Sequence, residues 1–227
     1  MKKMISMIMT IVMVFVVTIP AFATDSRMLV IELDDGIVVR TSYSEDEFYV
    51  EKYTKDGWYV ADIYDLEGNI VETFSLEILK PGMTRAVSTI QRNFTNTVYE
   101  KVVKSGLSHN ICSITNEVLL EIYVNGSFKQ IQSVISNGVH ASDGLSNFTI
   151  SSETCSALPP NGFPAAYVNC YYRATCTVMA TNDVVVSGNV DVNIKDIVNI
   201  GFSLSKSEGS TTYYNKTLSN SWSISVT

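Results

Sequence analysis

The sequence is poor in the residues on which most enzyme chemistry rests. Only two histidines, His109 and His140, occur in 227 residues. A zinc site takes a cluster of histidine, cysteine or carboxylate ligands at short spacings, and neither histidine sits in one. His109 follows Ser108 in SGLSHN, but Asn110 stands where a nucleophile elbow has its second glycine, and sequence neighbours do not meet as nucleophile and base. No phosphate-cradling glycine loop, dinucleotide fingerprint or thiol-redox motif is written in the chain. Basic charge is short too: 16 Lys and Arg against 23 Asp and Glu give a net charge of −7. Without a basic stripe, nucleic acid is not an expected partner. The expectation is a protein with no catalytic residue, cofactor or metal ligand to nominate.

Proline and glycine are scarce, at 5 and 12 residues, while Val, Ile, Tyr, Thr and Ser abound. That composition describes folded β structure rather than a disordered chain. The opening, MKKMISMIMTIVMVFVVTIPAFA, runs from Lys2 and Lys3 through an apolar stretch to Pro20 and Ala21-Phe22-Ala23. Basic, apolar and small-x-small regions in that order read as a secretory signal peptide over residues 1–23, which places the mature protein outside the cell. Residues 24–85 carry 6 basic and 14 acidic side chains, whereas 86–227 carry 8 and 9. An acidic segment thus precedes a nearly neutral, Ser/Thr/Asn-rich body. Pro81-Gly82 marks a linker between them, which reads as an ordinary inter-strand loop or, with Arg85 as a site for a secreted protease, as the point where the acidic part is removed as a pro-segment.

In 24–85, runs such as MLVIEL, IVVRTSY, EFYVEKYT, WYVADIY and IVETFSLEIL alternate with DDG, SED, KDG and DLEGN. These are short strands and turns, and predict a small acidic β-meander that leans on the body. DIYDLEGNIVE crowds Asp62, Asp65, Glu67 and Glu72 around a glycine, but Ile63 takes a place where a calcium loop needs an acid, so a plain hairpin turn is expected. In the body, Asn125-Gly126 between VLLEIYV and FKQIQSVI is a two-residue hairpin signal. VSTIQRNFTNTVYEKVV reads as either a strand or a short helix. Further strands around NFTISSE, AYVNCYYRATCTVMA, VVVSGNVDVNI, VNIGFSLSKS and TLSNSWSISV complete an all-β fold, an antiparallel sandwich or barrel. With GSFKQIQSV in its middle and GFSLSKSEGSTTYYNKT near its end, this body resembles small secreted β-rich proteins of Gram-positive bacteria. The resemblance implies export and β structure and brings no activity with it.

Four cysteines fall in the body, and export favours disulfides. Cys170 and Cys176 lie on one strand, about 20 Å apart along an extended chain, too far to join. Cys155 and Cys170 bracket a loop, so the favoured pairings are Cys155 with Cys170 and Cys112 with Cys176, the alternative being four free thiols. Adjacent aromatics, Tyr171-Tyr172, Tyr213-Tyr214 and Trp58-Tyr59, should each point one ring outward, and Tyr172, Tyr214 and Trp222 are the candidates for a binding face toward a cell-wall or host glycan. In the tail, the even positions from Val190 to Leu204 are apolar except Asp196, and the row resumes with Leu218, Trp222, Ile224 and Val226, while serines fill many of the odd ones. Alternation of this length also fits a membrane-crossing hairpin, so a pore-forming toxin or bacteriocin, with a membrane as partner, is the alternative. Asp196 would then face lipid, which favours a bend at Lys195-Asp196 between two sandwich strands.

Overall fold

A computed structural model describes residues 27–34, 36–79, 87–142, 148–187 and 190–227. The leader, Pro81-Gly82 and Arg85 lie outside the described residues. The strands are β1 (Met28–Asp34), β2 (Ile37–Ser44), β3 (Phe48–Lys55), β4 (Trp58–Asp65), β5 (Ile70–Glu77), β6 (Val87–Lys104), β7 (Leu107–Asn125), β8 (Phe128–Ala141), β9 (Phe148–Leu158), β10 (Tyr167–Thr181), β11 (Val184–Ser187), β12 (Val190–Asn193), β13 (Ser203–Glu208) and β14 (Thr211–Val226). Among the described residues one short helix, α1 (Ile194–Asn199), interrupts them.

They form two antiparallel sheets packed face to face, as the all-β reading expects. One has the order β3-β4-β5-β6-β7-β8; the other runs β1-β2-β14-β10-β11-β12, with β9 also on β10 and β13 also on β14. VSTIQRNFTNTVYEKVV is strand, and SGLSHN turns at Ser105-Gly106 straight into β7. Most turns fall where the Asp, Gly and Asn signals put them, but the expected Asn125-Gly126 hairpin turns one residue later, at Gly126-Ser127, with Asn125 paired to Phe128 and Gly126 at φ 60°. Asp56-Gly57 has positive φ at both residues, as a type I′ hairpin requires, and Asp65 closes the next turn by accepting the amides of Glu67 and Asn69 at 3.0 and 2.8 Å. Those bonds hold the Asp65 carboxyl below its ordinary pKa although its own desolvation opposes them.

The acidic segment is divided between the two sheets instead of forming one meander. β2 pairs with β14, and β5 pairs with β6. The physical reason is its own alternation: Leu29, Ile31, Leu33, Ile37, Val39, Ala61, Ile63, Phe74 and Leu76 are buried in the same core as Phe94, Val118, Tyr172 and Trp222. The β1–β2 turn also touches the chain's last residue. Gly36, at φ 65°, accepts the Thr227 amide at 2.8 Å, and a side chain there would collide with the Thr227 carbonyl.

The tail's alternation is real in β14, where Tyr214, Leu218, Trp222, Ile224 and Val226 are buried and Thr217, Ser219 and Ser221 are exposed. The apolar row that a membrane hairpin would offer to lipid therefore packs against the other sheet, Trp222 meeting Phe74 edge-on with centroids 5.2 Å apart. The long row from Val190 to Leu204 is not one strand. Asn193 accepts the Lys195 amide at 2.9 Å as a helix cap, α1 buries Ile197, and Gly201 at φ 92° ends it. The bend expected at Lys195-Asp196 is this helix.

Candidate functional site

Polar residues on the inner faces bolt the two sheets together. Arg92 on β6 donates to Asp34 on β1 at 3.0 Å. Lys216 on β14 meets Glu100 on β6 at 2.6 Å and donates to the Ile200 carbonyl at 2.8 Å. Between these ion pairs lies Glu72 on β5, only 1% exposed. Its Oε1 accepts both the Asn96 amide and, at 2.6 Å, the Asn220 amide from the opposite sheet. The hydroxyls of Tyr43 and Tyr172 stand beside it, and burial followed by the Glu72 charge drives both phenols above their ordinary range. Burial pushes the Glu72 carboxyl up to about 7, against hydrogen bonds from Asn96, Tyr43 and Asn220 that lower it. This seam joins the sheets, with Glu72 and Arg92 buried and the Asp34, Lys216 and Glu100 side chains partly exposed at its ends.

The solvent side of the six-stranded sheet is different. Register places Glu51, Asp62, Thr73, Thr97, Thr115 and His140 in one row across β3 to β8. Strand spacing makes such a row roughly 24 Å long. Asp62 accepts from Thr73 at 2.6 Å and from the Tyr53 hydroxyl at 2.9 Å. Tyr99 donates to Thr73 at 3.3 Å, and the Thr97 and Thr115 hydroxyls are 2.7 Å apart. The Lys101 ammonium lies 4.8 Å from the Tyr99 ring centre, and partial burial lowers its pKa. Beside the row, Tyr49 and Tyr64 stack with centroids 5.1 Å apart. Tyr49 and Tyr53 are 42% and 44% exposed, while Asp62 beneath them is 5% exposed. Desolvation first, then the Asp62 bond, pushes the Tyr53 phenol up to about 12. The arrangement is a floor of carboxylate and hydroxyl groups bordered by tyrosine rings, equipped to hydrogen-bond a polyol and cover its apolar faces.

The predicted binding face does not hold. Tyr172, Tyr214 and Trp222 are 0%, 8% and 4% exposed because the inward row of each strand takes them into the core. Their neighbours Tyr171 and Tyr213 face out instead, Tyr213 under the Lys206 ammonium at 4.5 Å. The four cysteines are thiols. Cys155 lies opposite Tyr172 and Cys170 opposite Ala157, so the pair expected to bridge is diagonal on the ladder, about 7–8 Å between Cα atoms and beyond disulfide reach. Cys155 donates to the Asn137 carbonyl at 3.6 Å. Cys112 and Cys176, the other expected pair, are both fully buried and face each other across the sandwich with their thiols in hydrogen-bond contact.

Sequence reasoning missed the tyrosine-bordered row. Its signal was present as the outward phase of β3 and β4, where Tyr49, Glu51 and Tyr53 alternate opposite Tyr64, Asp62 and Val60. Among the described residues no group of three or more His, Cys, Asp or Glu is placed to hold a metal ion. Comparison with protein-family models, with curated proteins and with solved structures finds no match to this chain.

Proposed function

We propose that the protein is a non-catalytic binding protein exported from a Gram-positive cell, and that its ligand is a cell-wall or host glycan held on the solvent side of the six-stranded sheet. The observation that carries this reading is the Asp62–Thr73 row with Tyr53 and Tyr99 bonded into it and Tyr49 and Tyr64 stacked beside it. Sugars present hydroxyls in the ring plane and apolar C–H faces above it, which suits carboxylate and hydroxyl acceptors flanked by aromatic rings. Export is supported by the order of basic, apolar and Ala-x-Ala regions in the leader and brings the face into contact with such polymers. In that compartment disulfide formation is the natural fate of suitably placed cysteines.

Co-sedimentation with purified peptidoglycan and with insoluble polysaccharides tests the reading. Binding that Tyr53→Ala and Tyr49→Ala each weaken about tenfold or more, the loss of roughly 1.4 kcal/mol or more, supports it. Binding that survives both substitutions, or none to any polymer by folded protein, removes the glycan assignment.

A further inference from the structure

The two sheets meet at one place through a matched set of four side chains. On β6 and β7, Glu100 pairs in register with Cys112; on β10 and β14, Cys176 pairs in register with Lys216. Lys216 then spans the gap to Glu100 at 2.6 Å. A cross-strand neighbour lies about 5 Å away, so fixing the Lys216–Glu100 end of this quadrilateral fixes the other end as well. Cys112 and Cys176 are thereby set facing each other across the core, both fully buried. The other two cysteines have no such partner arrangement. Cys155 is diagonal to Cys170, and its thiol is turned to the Asn137 carbonyl on β8.

We infer that Cys112 and Cys176 are the chain's single disulfide site, an inter-sheet bridge closed while the sandwich assembles, with Cys155 and Cys170 left as thiols. The two thiols lose two protons and two electrons in forming the S–S bond, and a small disulfide such as glutathione disulfide takes them up, leaving two glutathione thiols. Exchange proceeds through thiolate. In the folded protein, Cys176 beside it and burial raise the Cys112 thiol, so Cys112 is both shielded and poorly ionised, and Cys176 is fully buried beside it. The bridge therefore forms before the sheets close and resists reduction afterwards. In the cell the oxidant comes with export, and to that extent the inference rests on the secretion reading; an experiment that supplies its own oxidant lets the two fail separately.

The full chain, reduced and unfolded, is refolded in a glutathione redox buffer and then denatured without reductant. Two free thiols and a peptide link between the segments holding Cys112 and Cys176 are expected, and Cys155→Ser with Cys170→Ser together leave that link intact. In the native oxidised protein iodoacetamide should label Cys155 well ahead of Cys170, whose thiol burial pushes up to about 12. Four free thiols after refolding to the native far-ultraviolet spectrum, no free thiols, or any link that includes Cys155 or Cys170 overturns the inference.

Discussion

Glu72 titrates where its charge is least welcome. Its pKa rises from 4.5 to about 7 because desolvation outweighs the hydrogen bonds it accepts. Between those values the folded chain keeps a proton that the unfolded chain has released. Stability therefore falls as pH rises through that window and levels off above it. The contribution is at most about 3 kcal/mol, from 1.36 kcal/mol per unit. Urea denaturation at pH 5 and pH 8 should show the wild type weaker at pH 8, and Glu72→Gln should lose most of that difference; an equal drop in both proteins removes the assignment. Little of this was legible beforehand. The even row of β14 is interrupted at Lys216 and Asn220, and both make polar contacts to the other sheet, with Glu100 and with Glu72. A gap in an apolar row marks a polar inward residue, but its partner on a distant strand leaves no local trace. Trp222 stood in the apolar row, yet was read as a binding-face candidate; the structure puts it in the core. Trp222→Ala should cost about 3–5 kcal/mol in thermal or chemical unfolding, as large-to-small core changes do.

At the level of elements, period-two patterning identified β10 and β14 because each runs long with one face turned mostly into the core. It failed over Val190 to Leu204, where Ile194, Ile197 and Ile200 also suit one face of a helical turn. The bracketing Asn193 and Gly201 were the discriminating signal, as N-cap and C-terminal stop. Patterning also could not assign partners, and so the acidic segment read as a unit of its own. With β1 and β2 on one sheet through β14, and β3 to β5 on the other through β6, these strands complete the core instead of shielding it. A chain beginning at Ala86 leaves the apolar faces of β6 and β14 uncovered. We expect it to be insoluble or to unfold without a cooperative transition, as followed by near-ultraviolet circular dichroism. A soluble, cooperatively folding 86–227 fragment would restore the view of 24–85 as a removable appendage.

For the whole molecule, two sheets joined by ion pairs and an inter-sheet cysteine pair hold the six-stranded sheet as a rigid platform for the Asp62 row. Closing the loop from Cys112 to Cys176 should stabilise the oxidised form by roughly 4 kcal/mol over the reduced form on chain-entropy grounds, measured by paired guanidinium melts with and without reductant. The fold class and many turns were readable from the chain because alternation and turn residues are local. The Asp62 row proposed as the binding face was not, because it exists only once β3 to β8 come into register. A titration of isotope-labelled protein with a soluble oligosaccharide released from peptidoglycan, followed by two-dimensional NMR, tests the central claim most directly. The account predicts saturable shifts clustered on Tyr49, Tyr53, Asp62, Thr73 and Tyr99; shifts confined to the outer face of β10 and β14, or none at millimolar ligand, would contradict it.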